Sequence, residues 1–389
     1  MTQSFLPLSS SVLRVPQQAG AMRVAILLSV LVLVAPKSLF AQTPDVERDT
    51  ERPVHITIVP IYQQVNDGST SLQSLSTRMQ LTVPIHERTM VQGSIQYGHS
   101  TGEALTTVQG PTDLQLRVQH TVPIQQSRLV LGLDANLPTG TDELTIDELR
   151  TTIQTSQRPY GFRVPTFSRG WSATPSVTWA TPVSERVALG VGLGGRYQGG
   201  YQPLASSTAD YVPGNEVEVR TGLDYQLSKT STVALDGTGT YITPDTEDGK
   251  TRFDARYTLA VRAQYVWKHD TQTLRAQARY ESWPESRFRP VLLTESGADT
   301  GEEQSQQVLP SIWRAALGYT YAFTDRVHLG LRADTQHYTS TNRFDATTVG
   351  RMHVAPRLQW NTVALSVHGA YTFGSFTGFE TGLRTALQL

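Results

Sequence analysis

The sequence predicts an all-β protein: a transmembrane, antiparallel up-and-down β-barrel of about sixteen strands, with fourteen as the alternative count. Three observations predict it. The chain opens on a secretory leader, most of the mature chain alternates apolar and polar residues with period two, and the connections between the runs are alternately long and short. Composition agrees. Of 389 residues 38% are hydrophobic and 17% charged, with a mean hydropathy of −0.28 and no cysteine. So little apolar sequence cannot supply membrane-crossing helices. The lack of cysteine excludes a disulfide scaffold, a thiolate metal site, a cysteine nucleophile and a lipid-modified N-terminus.

The leader comes first. Arg23 precedes the apolar run Ala25–Val34, about half the length a helix needs to cross a bilayer, and Pro36, Lys37 and the small Ala41 come after it. This order predicts a signal peptide over 1–41, with Met22 as an alternative start and an uncleaved anchor as the competing reading. A short periplasmic segment, 42–53, then leads into a barrel over 54–389. Cleavage leaves 30 Lys and Arg against 34 Asp and Glu, a net charge of −4. That is no footprint for nucleic acid.

Sixteen alternating runs make up the barrel: 54–62, 73–85, 89–99, 112–123, 128–137, 171–182, 186–199, 214–227, 231–242, 252–267, 271–283, 310–324, 326–338, 350–360, 362–373 and 377–389. In the fourth, Leu114, Leu116, Val118, His120 and Val122 share one face, and Asp113, Gln115, Arg117, Gln119 and Thr121 the other. In the tenth, Phe253, Ala255, Tyr257, Leu259 and Val261 oppose Asp254, Arg256, Thr258, Ala260 and Arg262. So high a strand fraction is unusual for a soluble domain and natural in a bilayer, where a closed sheet pairs every backbone group. A soluble sandwich would turn the apolar faces inward and leave edges to protect.

Connections and aromatics bear on the same choice. Turns such as 86–88, 124–127 and 183–185 alternate with longer connections at 63–72, 100–111, 138–170, 200–213, 243–251, 284–309 and 339–349. Such asymmetry belongs to bacterial outer-membrane barrels. Trp179, Tyr225, Tyr265, Trp267, Tyr321, Phe323 and Trp360 fall at the short-turn ends; Tyr97, Tyr197, Tyr241, Tyr280 and Tyr371 fall at the long-loop ends. Two such bands suit the two headgroup levels. The last strand, Phe379 to Leu389, has the register of a closing strand read by outer-membrane assembly machinery, with Leu as its final residue. Lipid and lipopolysaccharide are the other expected partners.

If the apolar face meets lipid, the polar face lines a wet lumen. Candidate pore-lining residues are Arg117, Arg196, Arg220, Arg256, Arg262, Arg279 and Arg332, with Asp134, Glu218, Asp224, Asp236 and Asp254. Arg78, Arg275, Arg314, Arg357 and Arg384 share that face, as do Asp334, Glu281 and Glu380. Guanidinium groups suit cross-strand pairing with carboxylates and keep their charge at any pH. The residues either order the wall or create a field that selects solutes.

The connection 138–170 is the longest. Thr145 with Glu148 forms a capping box, Leu144 can staple onto Leu149, and Ile146, Leu149 and Ile153 recur at helical spacing. This predicts a helix that either folds into the mouth and narrows it or lies on the rim. Asp142, Glu143, Glu148, Leu149 and Ile153 are the candidate constriction residues. Gly190, Gly192 and Gly194 bare one face of their strand and are the candidate docking wall. The fingerprint G-x-G-x-x-G that they complete lacks the following helix that nucleotide binding needs.

Catalytic constellations are thin. No Gly-x-Ser-x-Gly elbow or His-Glu-x-x-His helix occurs. His328, His353 and His368 fall on the lumen face, and His120 and His337 on the lipid face. The acidic stretch with Glu295, Asp299, Glu302 and Glu303 lacks a calcium-loop spacing. The expectation is no enzyme, no cofactor and no metal.

Two short motifs carry a resemblance. Pro111-Thr112-Asp113-Leu114 opens one strand and Leu137-Pro138-Thr139-Gly140 ends the next. Over 111–140 the chain resembles the outer-membrane barrels grouped as the phenol-degradation meta-pathway family, although Thr112 stands where that family has Gly. The resemblance implies an uptake channel for aromatic or other hydrophobic small molecules. With only 42–53 ahead of the first strand there is no room for an N-terminal plug, so any gate must come from the loops. The function expected is passage of small molecules across the outer membrane. A non-transporting structural or surface-recognition barrel and an outer-membrane lipid hydrolase are the alternatives.

Overall fold

The computed structural model describes residues 53–389 except 69, 104, 142, 165, 207, 208, 289, 290, 295, 296, 301–303 and 342–344. The leader and most of the segment 42–53 lie outside the described residues, as do Asp142, Glu295, Glu302 and Glu303.

Sixteen strands form the wall: β1 His55–Asn66, β2 Ser71–His86, β3 Thr89–Gly102, β4 Leu114–Ile124, β5 Ser127–Leu137, β6 Ser172–Ser184, β7 Val187–Gln198 and β8 Glu216–Gln226 make the first half. The second half is β9 Ser231–Ile242, β10 Arg256–His269, β11 Gln272–Ser282, β12 Ile312–Ala322, β13 Val327–Tyr338, β14 Thr347–Trp360, β15 Val363–Gly374 and β16 Thr377–Gln388. Each pairs antiparallel with its chain neighbours, and β1 pairs with β16, so the sheet closes. No helix among the described residues is long and apolar enough to cross a membrane.

Which face is apolar decides the environment. Leu131, Leu133, Val191, Leu193, Val219, Leu259, Val261, Leu317, Val354 and Val367 are all exposed on the outer wall, Leu193 by 52%. Exposed aromatics flank them: Trp179, Phe323 and Trp360 at the short-turn end, Tyr197, Tyr241 and Tyr371 at the long-loop end. Water would not tolerate an apolar belt around a whole barrel, and lipid requires one. The protein is therefore a bacterial outer-membrane β-barrel.

Three boundaries depart from expectation. The connection expected at 63–72 shrinks to 67–70, because β1 and β2 stay paired up to Asn66 and Ser71. The connection 100–111 is itself largely strand: Leu105–Pro111 pairs with the upper half of β3 while β4 pairs with the lower half. The run 252–267 is two elements. Ala255 is buried, Arg256 has φ of +60°, and Lys250–Asp254 leaves the wall to join a sheet above it. That sheet also contains Tyr211–Val212, Asp245–Glu247, Ser286–Phe288 and Gln304–Gln306. Asp254 therefore sits above the barrel, paired with Arg256 at 3.4 Å at the first residue of β10, and neither lines the lower lumen.

Candidate functional site: the lumen and the segment that crosses it

The connection between β5 and β6 begins at a fixed foot, built from the two short motifs of 111–140. The carboxylate of Asp113, 5% exposed, accepts from the Gly140 N–H at 3.0 Å, the Asn136 side-chain amide at 2.7 Å and the Arg169 N–H at 2.8 Å. The Leu114 N–H donates to Thr139 Oγ1 at 2.9 Å, and the Asp113 N–H to the Phe167 carbonyl at 3.1 Å. One carboxylate thus ties both ends of the connection to the top of β4. Gly140 is required there, since a Cβ would lie 2.2 Å from the Phe167 carbonyl oxygen.

Helix α1, Ile146–Thr155, comes next with the expected capping box: Glu148 N–H donates to Thr145 Oγ1 at 3.3 Å and Thr145 N–H to the Glu148 carboxylate at 2.9 Å. Leu144 and Leu149 pack together with Val108, Val164 and Phe167, as the staple predicts. The expected apolar stripe does not hold. Ile146 and Ile153 are exposed, and the buried face is Thr151, Thr152 and Thr155. Their hydroxyls donate to backbone carbonyls one turn back, and Thr151 also donates to the Thr106 carbonyl at 2.7 Å. The helix packs on the strand Leu105–Pro111, and Glu143, Glu148, Leu149 and Ile153 line neither lumen cavity.

The segment after the helix crosses the lumen. In a ring of sixteen strands β13 lies diametrically opposite β5, and Tyr338 at the end of β13 donates its hydroxyl to the Arg158 carbonyl at 3.1 Å. Arg158 pairs with Glu281 of β11 at 3.1 Å and lies 4.5 Å over the Trp283 ring. Arg351 of β14 donates to the carbonyls of Pro159 and Tyr160 at 3.0 and 3.2 Å. Gly161, at φ of +68°, lets that guanidinium approach, since a Cβ would stand 2.5 Å from it.

Next the chain meets β1 and β16. The buried Gln63 amide donates to the Gly161 carbonyl at 3.1 Å and to Glu380 at 2.9 Å, and its oxygen accepts from the Arg163 N–H at 2.8 Å. Arg163 itself donates to Glu380 at 2.7 Å, with His368 3.2 Å from the same carboxylate. Tyr160 and Phe162 pack in an apolar cluster with Val65, Leu72, Val349 and Phe376. The Tyr160 hydroxyl donates to Asp67 at 2.7 Å. Burial, with the Asp67 carboxylate behind it, pushes that phenol well above its ordinary range, so it remains a donor.

These contacts put Arg158–Arg163, and not the helix, across the lumen. They also correct the docking wall. Cβ atoms built on Gly190, Gly192 and Gly194 would meet only strand atoms such as Trp179 O, Thr178 Oγ1 and Pro175 O, and none of the crossing segment. Tyr160, Phe162 and Arg163 were missed in the sequence. The available signal was density: Tyr160, Phe162, Val164 and Phe167 fall within eight residues of a connection too apolar to be solvated.

Two cavities remain inside the wall. The larger, about 1140 Å³, lies between β1–β3, β10–β16 and the crossing segment, with Phe162 and Arg163 in its lining. The smaller, about 600 Å³, is lined by β6–β11 and includes Gly190 and Gly192. Most of the expected pore-lining residues are ion-paired. Arg117 pairs with Asp134, directly opposite on β5, Arg196 with Glu216 at 3.2 Å, and Arg262 with Asp236 at 2.8 Å. Arg220 pairs with Glu218 on its own strand, Arg279 with Glu281 at 3.0 Å, and Arg332 with Asp334 at 3.4 Å. Asp224 lines the smaller cavity. His353 stands 2.9 Å from Asp334, a pair that spacing along one strand did not suggest. Among the described residues no group of three His, Asp or Glu has metal-holding geometry.

No family model matches the chain, and no curated protein matches it. Solved structures do. The COG4313 outer membrane channel from Pseudomonas putida F1 aligns over 89% of this chain and 100% of its own, at 12% identity and a TM-score of 0.40. The outer membrane protein opdK from Pseudomonas aeruginosa aligns over 87% and 98%, at 10% identity and 0.45. The CymD monoaromatic hydrocarbon channel aligns over 87% and 89%, at 11% identity and 0.41. Likeness at this level assigns neither a family nor a solute.

Proposed function

We propose that this barrel is an outer-membrane channel for small solutes, narrowed by Arg158–Arg163. The observation that carries the reading is the crossing segment. It leaves β5, reaches the opposite wall, and is held by side chains of β1, β11, β13, β14 and β16 while a cavity of about 1140 Å³ stays open beside it. A sixteen-strand barrel without a filler leaves a wide aqueous channel. Here the filler is a fixed strap of a few residues, which reduces the bore without closing it. A lining that mixes Val59, Ile61 and Phe162 with polar groups admits small amphipathic molecules, in keeping with the aromatic or hydrophobic compounds that the 111–140 resemblance implies.

The test is single-channel conductance of the refolded protein, residues 42–389, in a planar bilayer. A steady current far below that of an unobstructed sixteen-strand pore is expected, rising when 158–163 is replaced by a short Gly-Ser linker. Insertion without current in both proteins refutes the channel.

A further inference from the structure

The two cavities differ in charge balance. In the smaller, Glu218, Asp224 and Asp236 stand against Arg220, Arg262 and Arg279, and all three arginines are ion-paired. In the larger, Arg78, Arg163, Arg275, Arg332 and Arg384 stand against one lining acid, Glu380, already engaged by Arg163, His368 and Gln63, and against Asp334, which pairs with Arg332 and His353. Neither Arg78, Arg275 nor Arg384 has a carboxylate partner among the described residues.

Register shows how these groups are placed. Arg275 of β11 lies opposite Gly318 of β12, and Gly318 lies opposite Arg332 of β13. Two arginines therefore flank a position without a side chain, roughly 10 Å apart across two strand spacings. A Cβ built on Gly318 would meet, beyond its chain neighbours, only the Leu331 and Arg275 carbonyl oxygens at 3.9 and 4.0 Å, so the position is uncrowded by side chains. The neighbouring lining is small as well: Ala316, Gly330 and Ala355. The Arg275 guanidinium, without a carboxylate and beside a floor of small residues, is a free donor fork suited to two oxygens of a carboxylate or phosphate.

Resting on the channel reading above, the geometry points to an oxyanion-binding site in the larger cavity. Arg275 and Arg332 grip a small carboxylate or phosphate group over Gly318, and the channel passes anions in preference to cations. The alternative, an ordered wall and nothing more, needs each arginine to have an acid; Arg332 has Asp334, but Arg78, Arg275 and Arg384 have none among the described residues.

Two independent readouts test it. Reversal potentials in a potassium chloride gradient should show chloride favoured by at least about threefold, falling toward unity in Arg275→Gln/Arg332→Gln. Calorimetric titration of acetate, and separately of inorganic phosphate, into the detergent-refolded protein should show binding that Gly318→Leu weakens by about tenfold or more. That variant retains every charge, so its chloride preference should persist. Phosphate binding tighter than acetate would identify a phosphate-bearing solute, and the reverse a carboxylate. Current without anion preference, together with no heat from either probe, overturns the site and leaves the channel intact. Binding without current upholds the site and overturns the channel. Neither current nor heat overturns both.

Discussion

Replacing Gln63 by Ala should release the crossing segment. Gln63 is 5% exposed and its amide makes three bonds, to the Gly161 carbonyl, the Arg163 N–H and Glu380. Truncation takes the partner from a backbone carbonyl and a backbone N–H at a half-buried edge of the larger cavity. Each of the three bonds is worth about 1 kcal/mol net in a half-buried place, so the seated position should lose about 3 kcal/mol relative to the displaced one. At 1.4 kcal/mol per decade that is roughly a hundredfold shift toward the displaced loop. Arg158, Arg351 and the Tyr160 cluster remain, so the segment should stay seated on average but leave more often. Single-channel recording should show brief higher-conductance excursions in Gln63→Ala that are rare in the parent, and limited proteolysis after Arg163 should accelerate in step. Recordings and cleavage rates that match the parent, in a variant that refolds normally, would refute the assignment of the latch.

Other sites carry their own expected outcomes. Gly140→Ala puts a Cβ against the Phe167 carbonyl and should lower refolding yield by several-fold, read by heat-modified gel mobility. Leu193→Arg, on the lipid face at mid-wall, should destabilise the barrel by about 2–4 kcal/mol in urea unfolding from vesicles. Thr145→Ala removes the cap of α1 and should cost about 1 kcal/mol without changing conductance, because the helix does not line the cavities. Above the barrel, burial raises the pKa of the Asp245 carboxyl despite its bonds to Tyr211 and Gly214. Its protonated form is thus the better tolerated one when folded. The loop sheet should be firmest below the unfolded carboxylate pKa and loosen as pH rises through the raised one, with Asp245→Asn flattening that trend in amide exchange.

The wall was legible because each strand has two chemically distinct faces and a strict period. The register of Arg117 opposite Asp134 and of Arg262 opposite Asp236 follows from that alternation and the turn positions. Alternation failed where it ran on past the membrane: Phe253 and Ala255 keep the period of β10 while the backbone at Arg256 turns away. In α1 the hydropathy pattern pointed at Ile146 and Ile153, but threonines whose hydroxyls bond to the preceding turn can be buried without an orphaned group. The latch was hidden for another reason. Its partners lie far apart along the chain, Arg163 and Glu380 by 217 residues, and no local period encodes such a pairing.

Gln63 and Glu380 are direct partners in the ladder between the first strand and the last, 317 residues apart. The crossing segment therefore clasps the seam of the barrel. Its docking site does not exist on any partly assembled sheet, however many strands have been laid down, and comes into being only when β16 reaches β1. Pairing of such long range forms late. Full seating of the strap therefore requires closure, because only a closed sheet brings Gln63 and Glu380 together.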